Sequence, residues 1–93
     1  MTIQSFACSD TETLFTTNTT TKFTSIYATA TRKLGMLNAA VQLRDLQSPP
    51  GNRLHPLTKD RDGQHSISIN DQFRICFVWT DAGPKNVEIT DYH

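Results

Sequence analysis

The sequence predicts an α+β domain in which an N-terminal strand and two helices pack on one face of a curved antiparallel sheet. Three observations support this class. Up to residue 46, apolar residues recur at the three- and four-residue spacing of a helix, whereas from residue 53 they alternate with polar residues. Between these halves lies SPPGN, which interrupts regular structure. With 93 residues and 37% hydrophobic side chains, residues 1–93 fit a single domain.

The N-terminal region is expected to hold one short strand and one short helix. TIQSF, with Ile3 and Phe6, is predicted to be the strand. SDTETLF then opens a helix in which Ser9 caps the N-terminus and Glu12, three residues later, completes a capping box. Threonine makes up ten of the 21 residues from 11 to 31, and its branched side chain disfavours a helix. Residues 16–21 are therefore predicted to form a loop.

A longer helix is predicted from the apolar stripe that follows. Polar residues such as Lys22, Arg32 and Lys33 fall between the members of this stripe. A final turn carries Leu43 and Leu46. The stripe recurs every three or four residues and consists of Phe23, Ile26, Tyr27, Ala30, Leu34, Leu37 and Val41.

Four strands are expected after the break, joined by turns at KDRDG, NDQ and DAGP. RLHPL contains Pro56 and therefore belongs at a sheet edge or a bulge. QHSISIN alternates, with Ile67 and Ile69 on one face. KNVEITDYH is predicted to be the last strand. FRICFVWT is predicted to be central because apolar residues occupy both of its faces, with Phe73, Ile75, Phe77 and Trp79 on one and Cys76 and Val78 on the other.

Charge and motifs exclude several classes of function. Nine basic and nine acidic residues give zero net charge, which argues against holding nucleic acid by bulk charge. The sequence has no GxGxxG, P-loop or G-x-S-x-G motif. Neither the three histidines nor the two cysteines have the spacing of zinc ligands, so no metal or other cofactor is expected. Without a membrane-spanning run or a secretory signal, the chain is expected in the cytoplasm with free thiols.

The second half of the chain carries an ordered series of motifs. An H-P-L strand, a D-R-x-G turn, an S-I-x-I-N hairpin, an F-R-I strand and a terminal D-Y-H follow one another over residues 53–93. This order resembles the HigB-type toxins of the RelE/ParE superfamily, the killer proteins of bacterial toxin–antitoxin modules. The resemblance implies a microbial-RNase-like RelE fold and metal-independent cleavage of mRNA in the ribosomal A site. It also implies two partners, a helix-turn-helix antitoxin of the HigA type and the ribosome.

The resemblance further implies the catalytic residues. The family's histidine carries over to His55, and its tail carries over to Asp91, Tyr92 and His93. The family pattern H-P-L-K-G-D-R reads here as H-P-L-T-K-D-R, so the lysine position holds threonine and Lys59 stands where glycine is usual. His65 and Phe73 stand where tryptophan is common, and His65 adds a titratable group near the expected RNA surface.

These residue types suit cleavage of RNA by its own 2′-hydroxyl. A base removes the hydroxyl proton, the oxygen attacks phosphorus, and an acid protonates the leaving 5′-oxygen. His55 and His93 are the candidate acid and base, because unperturbed imidazole titrates near about pH 6.5. Asp91 can orient a histidine, and Tyr92 can stack on a base or position the scissile group. Cations for the phosphate and for contact with RNA or the ribosome are Arg74, Lys59, Arg53 and Arg61, with His65 beside them.

Two other classes of function stay open. A ParE-type relative would share the fold but act on gyrase, and the combination of His55 with the terminal D-Y-H argues against it. A threonine at the family's lysine position and zero net charge allow a non-catalytic module that binds ribosomes or proteins. The tail can serve catalysis if the last strand is held by a neighbour, for which FRICFVWT is the expected partner.

Overall fold

A computed structural model describes residues 2–91. Two α-helices, α1 (Ser9–Thr17) and α2 (Tyr27–Ala39), precede the sheet. The strands pair antiparallel in the order β1-β2-β3-β4. The predicted α+β class, with two helices and an antiparallel sheet, is therefore confirmed. The strand bounds are β1 (His55–Pro56), β2 (His65–Ser68), β3 (Phe73–Thr80) and β4 (Gly83–Asp91).

The hydrophobic core lies between α1, α2 and one face of the sheet. Ile67, Ile75 and Ile89 are paired across β2, β3 and β4 and are all buried. Five members of the predicted apolar stripe join them, namely Phe23, Ile26, Ala30, Leu34 and Leu37. Two members do not, since Tyr27 is 39% exposed and Val41 is 60% exposed. Val41 escapes burial because α2 ends at Ala39, two residues before it.

The predicted first strand does not form as a regular strand. Residues 4–7 run parallel to β4 and exchange three backbone hydrogen bonds of 2.7–3.1 Å with Pro84 and Val87. Only Phe6 makes a β-bridge in this segment, with Val87. Gly83 permits the close approach, because it has φ +133° and a Cβ there would overlap the carbonyl oxygen of Thr2.

The predicted capping box at Ser9 is wrong. Cys8 is the N-cap, in an extended conformation, and no side chain caps this end of α1. A capping box occurs instead at Gln42 and Asp45, around the short 3-10 helix Leu43–Gln47. The helix α1 also runs to Thr17, so the following loop starts two residues later than predicted.

A buried polar pair joins α2 to the loop before β1. Lys33 is only 6% exposed, and its Nζ donates a hydrogen bond to Oδ1 of Asn52, which is fully buried. The Nδ2 of Asn52 donates to the carbonyl oxygens of Leu46, at 3.1 Å, and Ser48, at 3.3 Å. This Lys33–Asn52 pair fixes the chain that leads to His55.

The buried amine predicts a pH dependence of stability. Burial lowers the pKa of Lys33 below its ordinary 10.5, and the charge of Arg32 adds to this effect. Just below pH 10.5 the unfolded chain therefore binds more protons than the folded one, and stability contributed by this group rises with pH. We expect the difference in free energy of unfolding between wild type and Lys33→Met to shift in favour of wild type from about pH 8 to about pH 10. Urea titrations would measure it, and a flat or falling difference would contradict the prediction.

Candidate active site

The open face of the sheet, opposite the helices, carries two rows of polar side chains. Residues paired directly across antiparallel strands share a face, and successive residues alternate between faces. The strand register therefore defines both rows on the side away from Ile67, Ile75 and Ile89. The first row is His55, Ser66, Cys76 and Glu88, and the second is Ser68, Arg74 and Thr90.

A cleft of about 440 Å³ opens at the β1 end of this face, and we call it the cationic cleft. Four residues that the sequence singled out meet here, one imidazole and three permanent cations. Such a group suits a phosphate, because charge-assisted hydrogen bonds to phosphate oxygens are among the strongest. The cleft is lined by His55, Pro56, Leu57, Thr58, Lys59, Asp60, Arg61 and Arg74.

His55 stands exposed in the short edge strand β1. Its Nδ1 lies 2.9 Å from the carbonyl oxygen of Arg53. A carbonyl oxygen can only accept, so Nδ1 carries a proton, and in the neutral tautomer that this hydrogen bond favours Nε2 is the basic nitrogen. One nitrogen is thus held by the backbone while the other is available for proton transfer.

The backbone conformation of Lys59 bears on the departure from the pattern H-P-L-K-G-D-R, in which lysine and glycine stand where this chain has Thr58 and Lys59. Lys59 has φ +59°, a left-handed conformation that glycine adopts most readily. This fits the glycine that is usual at its position. Lys59 begins the 3-10 helix Lys59–Arg61, and both Thr58 and Lys59 line the cationic cleft. Because a turn rather than a strand carries the lysine, its displacement by one residue does not move it to the other face of the sheet.

Arg61 is held by an ion pair. Its Nη1 lies 2.7 Å from Oε1 of Glu88 and also donates to Oε1 of Gln64 at 3.2 Å. The hydrogen bond to Glu88 raises the pKa of Arg61. Glu88 thereby offsets one of the positive charges at the cationic cleft.

The structure does not bring His65 to the open face. His65 pairs with Phe77, and the two rings stack with centroids 6.4 Å apart and planes inclined by 23°. Its Nδ1 is buried and makes no hydrogen bond to the described residues. The alternation of His65 with Ile67 and Ile69 is the sequence signal that places it on the side facing the helices.

The end of β4 is anchored by β3. Asp91 pairs with Phe73, and Thr90 pairs with Arg74, so the expected pairing of the last strand with FRICFVWT is confirmed. The Asp91 carboxylate accepts a hydrogen bond of 2.8 Å from Nε2 of Gln72. Tyr92 and His93 lie outside the described residues, and their catalytic roles stay predictions.

A second pocket, of about 260 Å³, lies over β2 beside the cationic cleft. We call it the serine pocket, after Ser66 and Ser68 in its lining. The sequence analysis did not predict a functional role for either serine. Their alternation with Ile67 and Ile69 is the signal that places both on the open face. The pocket is lined by Arg53, His55, Ser66, Ser68 and Arg74.

Residues 2–91 show neither a cluster of metal ligands nor a membrane-spanning helix. No group of three or more histidine, cysteine, aspartate or glutamate side chains is arranged to hold a metal ion there. No helix in the same part of the chain is long and apolar enough to cross a membrane. Cys8 and Cys76 are free thiols.

Comparisons with known proteins give three matches. A family model described as a HigB-like toxin, the RelE-like toxin of the type II toxin–antitoxin system HigB, matches residues 4–93. Toxin HigB-1 of Vibrio cholerae serotype O1 is 44% identical over 55 residues, which cover 59% of this chain and 58% of the relative. An uncharacterised protein of Haemophilus influenzae is 32% identical over 63 residues, which cover 68% and 62% of the two chains. Both alignments thus span less than two thirds of the relative's length.

Proposed function

The chain belongs to the HigB-like toxin family of type II toxin–antitoxin systems, and from this premise we propose that it is an endoribonuclease that cuts mRNA on the ribosome. The observation that carries the proposal is the cationic cleft. It combines an imidazole that has its Nε2 available with Lys59 and Arg74 around one opening. These groups supply one of the two proton transfers, and the charge neutralisation, that phosphodiester cleavage by an RNA 2′-hydroxyl requires.

The proposed reaction divides proton transfer between two histidines. One removes the proton from the 2′-hydroxyl, whose oxygen then attacks phosphorus, and the other protonates the departing 5′-oxygen. The products are a 2′,3′-cyclic phosphate and a 5′-hydroxyl. His55 would perform one transfer from Nε2, and the family resemblance assigns the other to His93. Lys59 and Arg74 would neutralise charge on the phosphoryl oxygens.

The remaining tail residues would assist this chemistry. Asp91, which pairs with Phe73 on the side of Ile89 rather than on the open face, would orient an imidazole from the end of β4. Tyr92 would stack on a base or position the scissile group. Two imidazoles and two cations supply both the proton transfers and the charge neutralisation, so the proposed reaction uses no metal ion. Cleavage should therefore persist when magnesium is replaced by cobalt hexammine on ribosomes that remain assembled.

The low net charge supports dependence on the ribosome. Phosphate neutralisation supplies most non-specific affinity for nucleic acid. This chain has zero net charge, and Glu88 already pairs with Arg61. The ribosome would hold the mRNA in place, while exposed Arg53 and, in part, Arg61 would contact ribosomal RNA. Free mRNA should therefore be cut much more slowly than translated mRNA in the same buffer.

Mapping of mRNA ends during in vitro translation tests the proposed function. We expect cuts inside the translated reading frame that leave 5′-hydroxyl ends. Inhibition of translation without cuts would favour a ribosome-binding module without catalytic activity. Inhibition of gyrase without either effect would favour a ParE-type activity.

The family also motivates a proposal for the protein partner and the compartment. We propose that a helix-turn-helix antitoxin of the HigA type binds this chain and suppresses its toxicity. Both the antitoxin complex and the ribosomal target would place the chain in the cytoplasm. Co-purification of the two chains, with loss of cleavage in the complex, would test this partner.

Lys59 offers a prediction that links backbone conformation to activity. Lys59→Gly should relieve the left-handed conformation and raise stability by about 1 kcal/mol, yet slow cleavage about 10- to 100-fold because one cation is lost. Adding Thr58→Lys to this variant restores the family order and should recover cleavage to at least the wild-type rate. Urea unfolding and mapped cleavage rates would measure both effects. Wild-type cleavage by the Lys59→Gly single variant would show that Lys59 does not serve the phosphate.

A further inference from the structure

The serine pocket shares two of its walls with the cationic cleft. His55 and Arg74 line both openings. The strand register explains this, because His55 pairs with Ser66 on β2, and Arg74 pairs with Ser68. A phosphate held between His55 and Arg74 would therefore have the serine pocket directly beside it.

Ser66 is unusual among the residues of this pocket. It is only 1% exposed, yet within residues 2–91 its hydroxyl takes part in no hydrogen bond. Ser68, in contrast, donates to the carbonyl oxygen of Asn70 at 3.0 Å. Polar side chains of residues with so little exposure are normally hydrogen-bonded. An unpaired hydroxyl that opens into a pocket is therefore placed for a polar atom of a ligand.

We propose that the serine pocket binds the base of one mRNA nucleotide next to the scissile phosphate, with the Ser66 hydroxyl bonded to the base edge. This inference rests on the proposed function and deepens it. The pocket of about 260 Å³ is smaller than the roughly 300–1,000 Å³ of sites for drug-sized ligands, so it suits one base. A planar guanidinium, from Arg53 or Arg74, offers a stacking surface. Because a hydroxyl both donates and accepts, Ser66 would give a graded rather than an absolute preference among bases.

Two variants of Ser66 separate a ligand role from a structural one. Ser66→Ala removes the hydroxyl and retains the small side chain, whereas Ser66→Thr retains the hydroxyl. Ser25→Ala, at an exposed serine in the 3-10 helix Thr24–Ile26, is the matched control. Each protein would be assayed for urea stability, for NMR titration with the four nucleoside 3′-monophosphates and their 2′-deoxy forms, and for mapped cleavage positions on translated mRNA.

We expect Ser66→Ala to be about as stable as wild type, because the substitution removes no hydrogen bond formed within residues 2–91. It should bind the preferred nucleotide about 2- to 10-fold more weakly, the range of one net hydrogen bond. Its cleavage positions should show a reduced base preference, while Ser66→Thr keeps that preference and Ser25→Ala changes neither binding nor cleavage.

Several outcomes would overturn the inference. A clear loss of stability in Ser66→Ala would show that the hydroxyl stabilises the folded protein rather than binds a ligand. Wild-type affinity and base preference in Ser66→Ala would remove the contact while leaving the proposed function intact. If Ser66→Ala lost only the distinction between ribo- and 2′-deoxynucleotides, the contact would be to the ribose rather than the base. Failure of the wild-type protein to cut translated mRNA would count against the proposed function itself.

Discussion

Replacing His55 with alanine should slow mRNA cleavage about 10²- to 10⁴-fold, the range for loss of one general acid or base. The fold should survive, because His55 is exposed in an edge strand. Its ring makes one hydrogen bond within the described chain, to the carbonyl oxygen of Arg53. Cleavage mapped during in vitro translation would give the rate, and urea unfolding would confirm stability.

His65 supplies the matched control for this experiment. Its ring stacks on Phe77 on the side of the sheet that faces the helices. His65→Ala should therefore lower stability by about 0.5–1.5 kcal/mol through the lost ring contact, and it should change the cleavage rate little. Equal cleavage losses in the two variants, after correction for the folded fraction, would show that His55 has no special role.

Removing the side chain of Asn52 should lower the free energy of unfolding by about 2–4 kcal/mol. Three hydrogen bonds disappear, and they involve Lys33 and the carbonyl oxygens of Leu46 and Ser48. The Lys33 amine then remains buried without its acceptor, which makes the loss larger than for an exposed amide. Asn52→Ala should shift the urea midpoint with little change in the slope of the transition.

A double-mutant cycle isolates the contribution of the lysine. In a Lys33→Met background no buried amine is left behind, so Asn52→Ala should cost less than in wild type. If the two costs are equal, Lys33 and Asn52 are not energetically coupled. The cost of Asn52→Ala then comes only from the lost hydrogen bonds of its side-chain amide to the carbonyl oxygens of Leu46 and Ser48.

Local pattern was sufficient for the elements that have a strong periodicity. The alternation around Ile67 and Ile75 predicts two strands that the structure contains, and the stripe through Leu34 predicts α2. Local pattern failed where partners are distant in sequence. Lys33 is buried because its acceptor, Asn52, lies 19 residues away. No spacing rule within one helix reveals such a partner.

The residues of the candidate site also differ in how far the sequence predicts their positions. His55 was identified through the family resemblance and Arg74 as a cation suited to the phosphate, and the structure places both at one cleft. The position of Lys59 depends on a backbone angle of φ +59°, which the local amino-acid pattern does not specify. The face of His65 follows from the same alternation that revealed the strand. Because the His65 ring stacks on Phe77 on the side of the sheet that faces the helices, packing is a better explanation than contact with RNA.

The pairing of residues 4–7 with β4 has a consequence for the order of synthesis. These residues contact Pro84 and Val87, so they join segments that are distant in sequence. Contacts between distant segments form late, because a large loop must close first. A nascent chain that lacks β4 also lacks Thr90, the residue with which Arg74 pairs across the sheet. The open face of a nascent chain is therefore incomplete until β4 has been synthesised and has paired with β3.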